Sequence, residues 1–168
     1  MDIEINGISE YLTRLSEARA ATVAGRCLPD SYCRFISSFG YGRFGRLLII
    51  YSASADHPDS IFDQGLRVKG FIEEAVAEGY FEFEPDGRES QGPDLYPFAA
   101  SENGEYFVWD MGDFKGGEYP IYCIGARMGG MRYAAADLYQ LFERLSGDAI
   151  REVMGPGYSP LPSVFEGM

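Results

Sequence analysis

The run Leu95-Tyr96-Pro97-Phe98-Ala99-Ala100-Ser101-Glu102-Asn103-Gly104-Glu105-Tyr106-Phe107-Val108-Trp109-Asp110-Met111 decides the fold. Two apolar and aromatic segments, 95–100 and 105–111, flank Asn103-Gly104. Asn-Gly accepts the left-handed backbone of a tight antiparallel turn, so the run predicts a β-hairpin. Downstream, residues 112–118 read as a second turn, 119–126 as a further strand and 131–134 as a short last one. Side chains alternate across a strand, which puts Phe107 and Trp109 on one face and Tyr106 and Val108 on the other. One of these faces must be core. Tyr106 and Trp109 are the aromatic candidates for a contact surface, since interfaces favour such anchors.

On either side of these strands the apolar period becomes helical. Ile8, Tyr11, Leu12 and Leu15 share one face and predict a helix over about residues 8–20. Tyr32, Phe35, Ile36 and Phe39 make a second stripe, with Pro29 in the first turn and Gly40 as the stop. Residues 46–52 form a buried strand, and 53–65 a loop. Val68, Phe71, Ile72, Ala75 and Val76 predict a third helix over about 66–78. Residues 80–84 alternate, and 85–94 form a polar loop. Leu138, Leu141, Phe142 and Leu145 predict a last helix over 136–145, with another turn or two over 148–154. Strands clustered together favour an α+β fold. The expectation is a mostly antiparallel sheet of about five strands, with two N-terminal helices, one middle helix and one C-terminal helix packed on it. Residues 1–154 form a single domain. Residues 155–168, with Pro156, Pro160 and Pro162, form a Pro/Gly-rich C-terminal arm whose Tyr158, Leu161, Val164 and Phe165 can rest on the body.

The charge is concentrated. The chain of 168 residues carries a formal net charge of −12. Residues 73–118 hold 13 acids against Arg88 and Lys115, a net of −11. Such a field repels phosphate backbones and anionic membrane surfaces, and it attracts a basic partner. The N-terminus has no signal-peptide pattern and no stretch is apolar enough to span a bilayer, so the chain reads as cytoplasmic. Cys27, Cys33 and Cys123 have no metal or redox spacing and read as free thiols.

Catalytic patterns are thin. Gly40-Tyr41-Gly42-Arg43-Phe44-Gly45 matches a dinucleotide-binding motif in letters, but a helix precedes it and a strand follows, the reverse of the required order. It reads as a turn built on left-handed glycines. His57, the only histidine, reads as a surface loop residue. Glu82 and Glu84 would share one strand face, as a hydrolytic carboxylate pair would, or as the wet side of a half-exposed strand. Asp110-Met111-Gly112-Asp113 lacks the spacing of a calcium loop. No metal or cofactor is expected, and no catalytic residue is assigned.

Leu28-Pro29-Asp30-Ser31-Tyr32, followed by Phe35-Ile36 and Phe39-Gly40, resembles the signature of the SUKH superfamily. Tyr96-Pro97-Phe98-Ala99 with Gly104-Glu105-Tyr106-Phe107-Val108-Trp109 resembles its hairpin. Tyr119-Pro120-Ile121-Tyr122 looks like its next strand, and residues 131–145 are similar to its closing helix. The resemblance covers roughly residues 9–146. It implies a non-enzymatic binding module: a bacterial immunity protein that neutralises a cognate toxin, often a basic nuclease, by direct contact. The expected contact residues are Glu73, Glu74, Glu78, Glu82, Glu84, Asp86, Asp110, Asp113 and Glu118, with Tyr106 and Trp109. A regulatory or scaffolding module for a housekeeping partner is the alternative, and a carboxylate-dependent hydrolase is a third reading.

Overall fold

In the computed structural model, residues 2–168 are described. The chain forms β1 (Glu4–Asn6), α1 (Leu15–Ala20), a small hairpin of β2 (Thr22–Val23) and β3 (Arg26–Cys27), α2 (Asp30–Phe39), β4 (Gly42–Phe44), β5 (Leu48–Ile50) and α3 (Asp63–Glu78). After a 3-10 turn (Glu89–Asp94) come β6 (Leu95–Ser101), β7 (Tyr106–Asp110), β8 (Ile121–Ile124), β9 (Met131–Ala135), α4 (Leu138–Leu145), α5 (Ile150–Met154) and β10 (Val164–Gly167).

Eight strands make one sheet in the order β1-β10-β4-β5-β6-β7-β8-β9. The β1–β10 pair is parallel and every other pair in it is antiparallel. The chain is α+β in the coarse sense, but the expected five-stranded antiparallel sheet with four helices is overturned by this eight-stranded mixed sheet and its additional helices. The strands that escaped notice, β1, β4 and β10, have three or four residues each. That is too short for an alternating pattern to register.

The strands from β6 to β8 are covered on both faces. On one face α2 and α4 bury Tyr32, Phe35, Ile36, Leu141 and Phe142 against Phe44, Phe98, Phe107 and Trp109. On the other, α3 packs Val68, Ile72 and Ala75 on Leu95, Val108, Ile124 and Met131. These strands therefore have core on both sides, so a choice between faces does not arise at β7. Lys69 of α3 is buried, and its ammonium donates to the carbonyls of Pro93 and Leu95 at 2.8 and 2.9 Å, which clamps α3 to the start of β6.

The first predicted helix is shortened. Residues 8–14 are not helical, and Ile8, Tyr11 and Leu12 are 57%, 38% and 48% exposed. Ser9 holds this segment elsewhere: its hydroxyl donates to the Met168 carbonyl at 2.6 Å, and its amide donates to the Phe39 carbonyl at 3.1 Å. The segment expected as an arm beyond Gly155 ends as β10, inside the sheet between β1 and β4. His57 is buried, not a surface residue. It lies against the rings of Tyr11 and Tyr41, and its Nδ1 accepts the Asp59 amide at 2.9 Å.

Tyr96 supplies a pH test of this packing. Its buried hydroxyl donates to the Ile61 carbonyl at 2.7 Å, and burial pushes it from 10.0 up to about 12. A folded value above the ordinary one means that its contribution is intact below pH 10 and is lost as pH rises through about 12. An ultraviolet titration should show a tyrosine step delayed to that range. Tyr96→Phe, which cannot ionise, should remove its share of the step.

Candidate functional site

The acidic stretch separates into two populations. Eight of its 13 acids have partners in the fold. Glu73 pairs with Lys69 at 3.5 Å, Asp94 with Arg26 at 3.0 Å, Glu102 with Arg43 at 2.8 Å and Asp113 with Lys115 at 3.4 Å. Glu105 accepts from Tyr158 at 2.7 Å, Asp110 from Gln91 at 3.0 Å and Asp86 from the Tyr133 amide at 2.8 Å. Glu118 accepts the Ser31 amide and hydroxyl, both at 2.7 Å, which ties the turn before β8 to the first turn of α2. Burial pushes the Glu118 carboxyl up, and the two Ser31 bonds oppose that shift. Glu74, Glu78, Glu82, Glu84 and Glu89 have no ion pair or side-chain hydrogen bond among the described residues, and all five are exposed.

Those five run from the last turns of α3, through the extended connection, to the 3-10 turn. Residues 80–84 keep the expected alternation, with Phe81 buried and Glu82 and Glu84 outward, but they form no ladder strand. They lie instead against the start of β9 and the turn before it. The Glu82 amide donates to the Met128 carbonyl at 3.0 Å, the Met131 amide to the Glu84 carbonyl at 2.9 Å and the Asp86 amide to the Met131 carbonyl at 2.9 Å. An edge strand needs such cover, and outward charges make it a poor template for further pairing. Glu82, Glu84 and Glu89 line one hollow of about 410 Å³ together with Phe81, Phe83 and Arg88.

A second hollow of about 330 Å³ lies across Tyr133. Asp113, Lys115 and Glu118 line it together with Tyr119, Tyr122 and Tyr133. Tyr122 and Tyr133 face one another across β8 and β9, with ring centroids 5.8 Å apart and nearly perpendicular. The Asp86 carboxylate holds the backbone of Tyr133, whose ring lines the second hollow. These tyrosines were missed by sequence reasoning. Their signal was available in principle: one aromatic on each of two adjacent strands, close to the acidic turn.

The expected contact residues therefore part company. Glu82 and Glu84 line one hollow, Asp113 and Glu118 line the other, and Asp86 accepts the amide of Tyr133 in the second. Glu74 and Glu78 are exposed on α3, and Glu73 is drawn to Lys69. Trp109 is 1% exposed and stacked on Phe98, so it is core and no contact anchor. Asp110 is buried under Gln91, and Tyr106 packs against the second core. Alternation could not separate these three, because both faces of β7 are covered.

Comparisons with protein-family models, with curated proteins and with solved structures each return no match. Among the described residues, no group of three or more His, Cys, Asp or Glu is placed to hold a metal ion, and no helix is long and apolar enough to cross a membrane.

Proposed function

We propose that the chain is a non-enzymatic binding module of the immunity type, which neutralises a cognate basic, nuclease-type toxin in the cytoplasm by direct contact through an acidic surface. The observation that carries this reading is the unpartnered set Glu74, Glu78, Glu82, Glu84 and Glu89, three of which share one hollow. Carboxylates without internal partners do little for the fold. Exposed and close in sequence, with three of them at one hollow, they create a field that steers a basic surface into contact. The SUKH-like pattern of residues 28–40 and 96–109 supports the same reading. The acids would stand in for a phosphate track, occupying the toxin's substrate cleft or the basic surface beside it.

The test is co-expression with the product of the neighbouring gene, followed by co-purification and association kinetics. The combined reversal Glu78→Lys, Glu82→Lys and Glu84→Lys should slow association about tenfold at low salt. That difference should shrink as salt is added. Unfolding stability should move by no more than about 0.5 kcal/mol, because exposed residues without partners are being changed. Affinity indifferent to ionic strength, or full protection of toxin-expressing cells by the reversed variant, would overturn the reading.

A further inference from the structure

The second hollow has a different character from the first. Its walls are aromatic, and its two acids are arranged unequally. Glu118 spends one oxygen on each Ser31 bond, and a carboxylate offers about four acceptor positions, so it retains capacity toward the groove. Asp113 is engaged only by Lys115, at 3.4 Å and through a side chain 79% exposed. A pair that open costs little to break. The chain's own cation thus already lies at the rim, where a stronger one could displace it. Tyr133 is 40% exposed and nearly perpendicular to Tyr122, and it lines the same groove as both carboxylates.

A planar cation fits this set better than a compact one. A guanidinium stacks on an aromatic face and reaches carboxylates through several donors at once, whereas an ammonium is a strongly hydrated point charge. Arginine is also enriched among the residues that dominate protein interfaces. We infer that the groove between Tyr133, Tyr122, Asp113 and Glu118 is the socket for an arginine side chain of the basic protein partner. This rests on the binding-module reading above and adds to it a division of labour. The edge acids supply long-range attraction, and the socket supplies short-range selection of arginine over lysine.

Fluorescence anisotropy with labelled hexa-arginine and hexa-lysine peptides tests this without the natural partner. Wild-type protein should bind the arginine peptide about tenfold more tightly than the lysine peptide, the order of ratio that a partly desolvated cation–π contact supplies. Tyr133→Leu should bring the two affinities together while leaving the lysine peptide's affinity unchanged. Asp113→Asn should weaken the arginine peptide in a background that still folds, since Asp113 holds no buried partner. Equal affinity for the two peptides in wild type, or an arginine preference that survives Tyr133→Leu, would overturn the socket. In either case, loss of both peptides on Glu82→Lys with Glu84→Lys would leave the acidic edge standing as the docking surface. Failure of wild type to bind either peptide would overturn the socket and the acidic-surface reading together.

Discussion

Replacing Trp109 with alanine should lower the free energy of unfolding by about 3–5 kcal/mol, as for other large aromatic residues removed from a packed core. The ring of Trp109 lies 4.7 Å from Phe98 at 11° and 5.2 Å from Tyr32 at 80°, a stack and an edge contact that share one side chain. Tyr32 is fixed in turn by its hydroxyl, which donates to the Tyr51 carbonyl at 2.6 Å. Its ring cannot swing far into the space the indole leaves, so the cavity stays open and the cost falls at the upper end of the range. Urea unfolding followed by far-ultraviolet circular dichroism measures the change, as a lower midpoint with unaltered slope. Trp109→Phe should lose much less, because it keeps one ring of the stack. The comparison with the edge acids is informative. Trp109→Ala should weaken partner binding only in proportion to the unfolded fraction, whereas the acid reversals should slow binding without unfolding. A Trp109→Ala protein of native stability that no longer binds its partner would return Trp109 to the interface and contradict its burial.

The same residue shows how much of the molecule was legible in the sequence. The hairpin around Asn103-Gly104, the stripe of α2 and the stripe of α4 could be read because each has enough residues to display its period. β1, β4 and β10 could not, since each has only three or four residues, and β10 pairs with β1 and β4 from the far end of the chain. The stripe Ile8-Tyr11-Leu12-Leu15 had helical spacing, yet only Leu15 packs on the core, because Ser9 ties the segment before it to Phe39 and Met168. Tertiary contacts overrode local period there. For the surface, composition located the charge but could not tell an acid with an internal partner from one without. Glu118 and Glu84 look alike in sequence. One receives two bonds from Ser31, 87 positions away, and the other receives none on its side chain. That distinction reduces a 13-acid stretch to five free carboxylates and two hollows, and only three-dimensional proximity provides it.

Removing residues 156–168 should abolish cooperative folding, because the loss exceeds the margin of about 5–15 kcal/mol on which such domains rest. Among the described residues, β10 is the only strand that links β1 to the rest of the sheet. Its Phe165 is fully buried, with ring centroids 5.0 Å from Phe35 and 6.1 Å from Phe39. The segment before it is tied as well: the Leu161 amide donates to the Leu145 carbonyl at 2.9 Å, and the Gly45 amide to the Val164 carbonyl at 2.8 Å. Without these residues β4 becomes an edge with an unpaired ladder, β1 loses its neighbour and the α2 face of the core opens to water. The truncated chain should keep much of its far-ultraviolet signal, lose its near-ultraviolet signal and bind a hydrophobic dye, as a compact state without fixed packing does. Phe165→Ala isolates the packing contribution and should cost about 3–5 kcal/mol while leaving the strand pairing in place. Gly42→Ala strikes pairing and packing together, since a Cβ at Gly42 would collide with the Glu166 carbonyl and the Phe165 ring across the β4–β10 ladder. If the truncated chain unfolds in one sharp transition with a native near-ultraviolet spectrum, the β1–β10 edge lies outside the cooperative unit. The core would then be carried by β4 to β9 alone.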